Sequence, residues 1–316
     1  MTAESIAVLG ECVADAFVTP APDDPGTPAI GLEVLPGGGP ANTAVALARL
    51  GTPTRFLGRL SSDVFGRLFR THLTASGVDL AGAVAAPEPS TLAVADLDED
   101  GRADYSFHAE GTADWGWTPD ELAAAARQPM RCLHTGSLAL VRAPGGAAIE
   151  DLLDEVRERA TVSVDPNVRP LLVDPATVAA RLPRWCAAAD ILRLSDDDLE
   201  HLLPGTGVER AADTFHGYGA RLVVVTLGGE GVFASLDGTR FRVPTPPTEV
   251  VDTVGAGDSF MAGLLHSLSE DGELGGRLEG LGKAGVERAL DFGTRVAAAV
   301  CAVRGANPPW AGDLTR

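Results

Sequence analysis

The chain has 316 residues, with 25 Lys plus Arg against 44 Asp plus Glu and a formal net charge of −19. With 45% hydrophobic residues it can bury a full core, which excludes a wholly disordered chain. The acidic balance argues against nucleic-acid or membrane-surface partners, because both are themselves negatively charged. Any polyanionic substrate therefore needs a local binding device.

Short apolar runs alternate with helical patterns along the chain, which is typical of a parallel sheet with crossover helices. Each run ends at a glycine or a polar residue, and open α/β sheets bind their ligands at the carboxyl ends of the strands. The predicted strands cover residues 6–9, 162–164, 191–194 and 222–226, and helical spacing covers residues 147–160 and 208–218. We expect one domain spanning residues 1–316.

Two segments interrupt this alternation. Residues 91–97 and 103–108 flank the polar turn Asp98-Glu-Asp-Gly101, which predicts a β-hairpin. Residues 15–34 are also non-helical and rich in proline. The two segments are either separate surface excursions or, as we expect, a small sheet covering one end of the domain. Such a lid would comprise about residues 15–35 and 91–110.

Lysine usage excludes several enzyme classes. Lys283 is the only lysine and is followed by Ala284, so no Gly-Lys-Ser/Thr phosphate loop is present. A protein-kinase lysine or a lysine Schiff base would have to use this residue, which lies in a glycine-rich stretch that predicts a loop. The four cysteines are widely spaced, and neither a signal peptide nor an apolar stretch of about 18 residues is visible. These features predict a soluble cytoplasmic protein.

The most specific motif is the late run Asp252-Thr-Val-Gly-Ala-Gly-Asp258. The apolar spacing that follows predicts a helix from about Ala256. Gly255 and Gly257 allow backbone amides to turn toward one point at the helix N-terminus, which makes an anion hole without lysine. Asp258 could accept a hydroxyl proton during attack on phosphorus. The alternative is an aspartate that only caps a core helix.

A second glycine cluster, Gly37-Gly-Gly-Pro-Ala-Asn42, opens another predicted helix that ends near Gly51. Glycines let a small polar ligand approach the backbone, and Asn42 offers both a hydrogen-bond donor and an acceptor. The alternative is a plain turn before a helix. The spacing is not Gly-x-Gly-x-x-Gly, so it does not predict a dinucleotide site.

Together, the two motifs resemble those of the ribokinase-like (PfkB-type) carbohydrate kinases. The resemblance covers nearly the whole chain, because the intermediate motifs Gly10-Glu-x-x-x-Asp15, Asp63-Val-Phe-Gly66, Asp165-Pro-Asn-Val-Arg169, Thr226-Leu-Gly-Gly-Glu-Gly231 and Arg304-Gly-Ala306 follow in order. It implies a ribokinase-like three-layer α/β/α sandwich with a mostly parallel central sheet and a small β-sheet lid.

The resemblance also implies roles, position by position. Asp258 would be the base, and the amides of Gly255, Ala256 and Gly257 would bind the transferring phosphoryl group. The expected substrate-binding residues are Asp15, Gly38, Gly39, Asn42, His108, Asn167 and Arg169. Those expected to bind ATP and Mg²⁺ are Ser195, Asp198, Thr226, Gly228 and Gly231. Potassium is expected at Asp252, Thr253 and Gly305.

Two departures from the family pattern concern the metal and the substrate. Ser195 and Asp198 stand where many members carry Asn and Glu, although the carboxylate kept at Asp198 still allows a water-mediated Mg²⁺ contact. His108 and Ala109 replace a Tyr-Arg pair of the fructokinase and ketodeoxygluconate kinase branches. The loss of that arginine argues against a carboxylate substrate.

The sequence therefore predicts an ATP- and Mg²⁺-dependent sugar kinase, most readily of the fructokinase type. Ribokinase, 2-keto-3-deoxygluconate kinase and nucleoside kinase are alternatives within the family. A non-catalytic sugar or nucleotide sensor with the same fold is the alternative from another class. The open edges of the lid also predict a homodimer.

Overall fold

The computed structural model describes residues 5–20, 28–97 and 103–314. The strands are β1 (Ser5–Leu9), β2 (Val13–Thr19), β3 (Gly31–Gly37), β4 (Thr54–Leu57), β5 (Arg59–Ser61), β6 (Val84–Ala86), β7 (Thr91–Leu97), β8 (Ala103–His108), β9 (Met130–Gly136), β10 (Thr161–Asp165), β11 (Ile191–Ser195), β12 (Leu222–Thr226), β13 (Val232–Leu236) and β14 (Thr239–Val243). The helices are α1 (Gly39–Arg49), α2 (Val64–Ala75), α3 (Pro119–Ala125), α4 (Gly145–Val156), α5 (Pro175–Ala188), α6 (Asp196–Leu202), α7 (Val208–Tyr218), α8 (Ala256–Glu270) and α9 (Lys283–Cys301).

An eight-stranded sheet forms the centre of the molecule, in the order β14-β13-β12-β11-β10-β9-β1-β4. The six strands β4, β1, β9, β10, β11 and β12 are parallel to one another. β13 and β14 add an antiparallel edge. The four strands predicted from apolar runs are confirmed as β1, β10, β11 and β12. Because parallel strands direct their carboxyl ends to one edge, the residues that follow them meet there.

Helices cover both faces of this sheet and complete three layers, as predicted. Successive strand residues face opposite sides, so Ile6 and Val8 belong to one core cluster and Ala7 and Leu9 to the other. Helices α1, α2, α8 and α9 contribute to the first cluster, and α3 to α7 to the second. Among the helices that the structure describes, none combines the length and the apolar character needed to cross a membrane.

The only lysine lies on a helix rather than on the predicted loop. Gly282 precedes α9, and Lys283 is its first residue. The glycines on both sides of Lys283 favour a loop by their local preference, but the helix begins directly after Gly282. The Lys283 side chain is 73% exposed and pairs with Glu287 at 3.7 Å.

A second, four-stranded sheet has the order β3-β2-β7-β8. We call it the lid sheet. β7 and β8 form the predicted antiparallel hairpin, and β2 joins it through parallel pairing with β7. Residues 98–102, which include the predicted hairpin turn at 98–101, and residues 21–27 of the predicted lid lie outside the described residues. The small sheet expected from two distant segments is thus present.

Buried acids anchor the lid sheet to the central sheet. Asp114, which is 2% exposed, accepts hydrogen bonds from the Cys12 amide at 2.9 Å and the Thr91 hydroxyl at 2.6 Å. Glu11, also 2% exposed, accepts one from the Ala139 amide at 3.3 Å. Burial raises the pKa of Asp114 to about 6, and burial together with the negative charge of Asp114 raises the pKa of Glu11 to about 7.

We predict that Glu11→Gln changes the pH dependence of stability. The pKa of Glu11 rises from 4.5 to about 7 on folding, so the native state holds its proton more tightly than the unfolded state. The contribution of Glu11 to the free energy of unfolding is fully present below pH 4.5 and is lost as the pH rises through about 7. The glutamine variant should therefore gain about 2–3 kcal/mol in free energy of unfolding relative to wild type between pH 5 and pH 8.

Urea denaturation of both proteins at the two pH values measures this difference. Glu155→Gln, the same change at an exposed position of α4, should leave the difference near zero. A Glu11→Gln effect that is equal at both pH values would contradict the prediction.

Candidate active site

The two glycine motifs meet at the starts of α1 and α8. Gly255 precedes α8 in the left-handed conformation, with φ 76°, which a glycine adopts readily. The Asn42 Nδ2 group donates a hydrogen bond to Asp258 Oδ2 at 2.9 Å. The Thr43 hydroxyl donates to the Gly39 carbonyl at 3.1 Å and lies 3.4 Å from the Asp258 carbonyl. Residues 216 positions apart therefore form one site.

A third motif joins them through Asn167. A Cβ atom placed on Gly39 would lie 2.7 Å from Asn167 Nδ2 and 3.2 Å from Asp258 Oδ1. Only glycine leaves room for both side chains at this point. The structure thus brings Gly39, Asn42, Asn167 and Asp258 together, as the sequence predicted for the substrate and the base.

The carboxyl group of Asp258 is in a partly desolvated, charged environment. Burial raises its pKa above the ordinary value, whereas the hydrogen bond from Asn42 and the positive charges of Arg169 and Arg193 lower it. The net result is a raised pKa of the Asp258 carboxyl group. A raised pKa makes the carboxylate a better proton acceptor near neutral pH.

The amides at the start of α8 differ in availability. The Ala256 amide already donates to the Thr253 carbonyl at 3.2 Å. The first amides of a helix have no intrahelical acceptor, and within the described backbone those of Gly257 and Asp258 have none outside it either. They leave positive potential at the helix N-terminus beside the Asp258 carboxylate.

A cleft of about 690 Å³ lies between the lid sheet and the central sheet. We call it the sugar cleft. Of the residues predicted to bind substrate, it is lined by Asp15, Gly38, Gly39, Asn42, Asn167 and Arg169. Burial raises the pKa of Asp15 to about 6, Arg169 lowers it and Asp258 raises it. The two carboxylates and Arg169 therefore act on one another across the same space.

His108 is not part of this cleft. Tyr105 and Phe107 of β8 line it and stack on each other, with ring centroids 5.9 Å apart. Successive strand side chains point to opposite faces, so His108 is turned away from the cleft and is exposed. Tyr105 and Phe107, rather than the expected His108, therefore line the cleft from β8.

A second cleft, of about 280 Å³, lies at the carboxyl ends of β11 and β12. We call it the nucleotide cleft. Ser195, Thr226, Gly228 and Gly231, all predicted to bind the nucleotide or its metal, line it. Apolar groups that suit a flat base form another part of the wall, namely Val250, Phe260, Ala297, Ala298 and Cys301.

Asp198 has a structural task. It is 5% exposed, and its Oδ2 accepts hydrogen bonds from the Ser195 amide at 2.9 Å and hydroxyl at 2.7 Å. Its Oδ1 accepts from the Val168 amide at 2.7 Å. Asp198 therefore holds the loop that carries Asn167 and Arg169, which we call the Val168 loop. Among the described residues, no group of three or more His, Cys, Asp or Glu could hold a metal ion.

The three residues expected to bind potassium are adjacent. Asp252 accepts hydrogen bonds from the Val254 amide at 3.0 Å and from the Gly305 amide at 2.8 Å. The Thr253 carbonyl accepts from Ala256 at 3.2 Å. Asp252 thus joins the loop before α8 to the loop after α9, next to the nucleotide cleft.

Sequence reasoning missed three buried charged residues. Glu11 and Arg193 line the sugar cleft, and Asp114 interacts electrostatically with Glu11. Arg193 carried a usable signal, since it interrupts the apolar run of a central parallel strand. A buried charge is costly there unless it is paired or functional. Asp114 carried no such signal, because it follows the hairpin in a polar stretch that reads as a loop.

Comparison with known proteins places this site in a family. A model for the pfkB family carbohydrate kinases matches residues 3–311. The fructokinase of Rhizobium leguminosarum bv. trifolii is 38% identical over 262 residues, covering 82% of this chain and 79% of that protein. The fructokinase of Klebsiella pneumoniae is 37% identical over 273 residues, covering 84% of each.

Solved structures of fructokinases are also similar to this chain. The fructokinase of Xylella fastidiosa with bound ATP has a TM-score of 0.88 at 26% identity, covering 98% of this chain and 97% of that one. A fructokinase double mutant of Vibrio cholerae O395 with fructose, ADP and potassium has a TM-score of 0.81 at 27% identity, covering 96% and 94%. Because the match spans nearly all of the sequence and the fold, this chain belongs to the pfkB family of carbohydrate kinases.

Proposed function

We propose that this chain is a fructokinase that transfers the γ-phosphoryl group of ATP to a hydroxyl group of fructose. The observation that carries the proposal is the 2.9 Å hydrogen bond from Asn42 to Asp258, which joins the sugar cleft to the helix start beside the nucleotide cleft. The relatives named fructokinase support the choice of sugar.

Asp258 is the base in this proposal. A sugar hydroxyl in the cleft gives its proton to the carboxylate as its oxygen attacks phosphorus. Asn42 holds the carboxylate in position, and the raised pKa of Asp258 strengthens it as an acceptor. Asp15, Gly38, Gly39 and Asn167 hold the other hydroxyl groups.

Amides at the start of α8 stabilise the charge that develops on the transferring phosphoryl group. Gly257 is the principal donor, with Gly255 beside it, because the Ala256 amide donates to Thr253. Thr226, Gly228 and Gly231 line the groove proposed for ATP. ATP itself is bound in the Xylella fastidiosa fructokinase.

Magnesium is proposed to bind together with ATP, on its phosphate groups. Mg²⁺ usually keeps several waters and takes few protein ligands besides phosphate oxygens, so a site without a carboxylate cluster fits it. The exposed carboxylates of Asp196 and Asp197, which line the nucleotide and sugar clefts respectively, are available for such contacts. Asp198 acts by holding the Val168 loop. Bound Mg²⁺ would neutralise phosphate charge.

Potassium is proposed at Asp252, Thr253 and Gly305. A carboxylate and two carbonyl groups are oxygen donors of the kind that an alkali cation accepts, and the Asp252–Gly305 hydrogen bond brings them together. A cation there would stabilise the loop before α8. The Vibrio cholerae fructokinase structure contains potassium.

The alternatives have less support. Ribokinase, 2-keto-3-deoxygluconate kinase and nucleoside kinase activity would use the same base. Ala109, which stands in place of an arginine, argues against the carboxylate substrate of 2-keto-3-deoxygluconate kinase. The relatives named fructokinase favour fructose over ribose and nucleosides. A non-catalytic sensor does not require the Asn42–Asp258 arrangement.

We also propose a homodimer through the open edges β3 and β8, where Leu32 and Tyr105 are 45% and 50% exposed. Cytoplasmic location stays a prediction from the sequence.

A panel of sugars tests the proposed function. ADP release should be fastest with fructose when ATP and Mg²⁺ are present, and potassium should increase it. Ribose, tagatose, ketodeoxygluconate and nucleosides should react at least tenfold more slowly. Folded protein that binds ATP but turns over none of these compounds would reject the kinase proposal in favour of a sensor.

We predict that Asp258→Asn lowers kcat by about 10²–10⁴-fold, because the amide cannot accept the hydroxyl proton. The variant is isosteric, so thermal stability and fructose affinity should change little. Stopped assays and calorimetric titration with fructose measure the two properties. Turnover within threefold of wild type would remove Asp258 from the role of base.

We predict that Arg169→Ala raises the KM for fructose about tenfold with a smaller effect on kcat. Arg169 also lowers the pKa values of Asp15 and Asp258, so its removal should raise both. The base must be ionised, and the acidic limb of the kcat/KM profile should therefore move to higher pH. Arg159→Ala serves as a control, because Arg159 lies just before the amino-terminal end of β10 and donates a hydrogen bond to the Ala126 carbonyl. An unchanged KM and profile would place Arg169 outside the site.

A further inference from the structure

The sugar cleft and the nucleotide cleft meet at a small set of shared residues. Five residues line both clefts, namely Arg193, Ser195, Thr253, Ala256 and Gly257. A phosphoryl group that passes from a nucleotide in one cleft to a sugar in the other must cross this junction. Among the described residues, Arg193 is the only charged side chain that belongs to both linings.

Arg193 lies against the start of α8. A Cβ atom placed on Gly257 would be 2.6 Å from both Nη1 and Nη2 of Arg193. The guanidinium group therefore faces the same helix turn whose free amides form the proposed anion hole. The helix amides and the guanidinium present positive charge to one space, from two sides.

Hydrogen bonds from the neighbouring strands hold the guanidinium in place. Arg193 Nη1 donates to Asp165 Oδ2 at 2.8 Å on β10, and Nη2 donates to the Thr226 hydroxyl at 2.6 Å on β12. Arg193 is 5% exposed, so it has little freedom to reorient. Its Nε group, within the described residues, has no hydrogen-bond acceptor. The side chain is preorganised and retains donor capacity.

The local charge favours a cation at this junction. Asp165, Asp198 and Asp258 all interact electrostatically with Arg193. These three carboxylates would repel a polyphosphate, and Lys283 lies elsewhere on the surface of α9. Besides Arg193, the positive potential near the junction comes from the helix amides and from Arg169, which lines the sugar cleft but not the nucleotide cleft.

We propose that Arg193 is a further catalytic residue, whose guanidinium group contacts the γ-phosphoryl group and stabilises the charge on it during transfer. The inference rests on the proposed kinase function. Asp165 and Thr226 are positioning residues that hold the guanidinium group against Gly257. A purely structural Asp165–Arg193 ion pair is the competing explanation.

Binding of ATP and of ADP separates the two explanations without any turnover. A contact with the γ-phosphoryl group strengthens ATP binding only, whereas a structural defect weakens both nucleotides. In calorimetric titrations without sugar, Arg193→Gln should therefore lower the ratio of ATP to ADP affinity about tenfold or more. An unchanged ratio would overturn the proposal.

Kinetics supply the second readout. Arg193→Gln should lower kcat by about 10²–10³-fold while changing the KM for fructose less than threefold. Arg193→Lys keeps the charge but loses the fork to Asp165 and Thr226, so it should recover most of this loss. A structural role would be impaired as much in the lysine variant as in the glutamine variant, and that result would contradict the proposal.

Arg55→Gln is the matched control. Arg55 is 2% exposed and is held by Gln128 and Pro129 at the amino-terminal end of β9, away from both clefts. The Arg55→Gln variant should lose stability while keeping the wild-type ratio of ATP to ADP affinity.

If Arg193→Gln does not fold, Thr226→Val decides, since it loosens the guanidinium group. A lowered ratio of ATP to ADP affinity supports the proposal, and an unchanged ratio rejects it. Absence of turnover in wild type would reject the kinase function, whereas the binding ratio still tests Arg193.

Discussion

The site depends on one hydrogen bond between helices that begin far apart in the chain. Asn42 on α1 and Asp258 on α8 are 2.9 Å apart, and both helices pack on the same face of the central sheet. α1 follows the lid strand β3, whereas α8 follows the loop beside the nucleotide cleft. Their packing therefore sets the distance between the place for a sugar and the place for a phosphoryl group.

A second constraint is the excess of buried acid around this bond. Burial raises the pKa values of Glu11, Asp15, Asp114 and Asp258, because a partly desolvated carboxylate is less stable when ionised. Carboxylates suit the hydroxyl groups of a sugar but repel phosphate. The proposed functions of the α8 amides and of Arg193 answer this conflict, since both supply positive potential at the junction of the clefts.

Much of the fold could be predicted because the local signals are strong. Apolar runs that end at glycine or polar residues identified four adjacent or near-adjacent strands, and the Asp-Gly turn identified the hairpin of the lid sheet. The antiparallel edge β13–β14 and the start of α9 at Lys283 were missed, because short strands and glycine-rich helix starts resemble loops. His108 was misplaced since the face of a strand depends on register, which the sequence of one strand does not define.

The sequence by itself determined the two glycine motifs, the proposed base Asp258 and the kind of chemistry that a chain with one lysine can perform. These are local properties, since backbone turns and helix starts depend on neighbouring residues. Only the tertiary structure decided that Asp198 holds the Val168 loop, that Asp114 anchors the lid sheet, and that Arg193 lies against Gly257. Each of these contacts joins residues distant in sequence, and their partners are chosen by the packing of strands and helices.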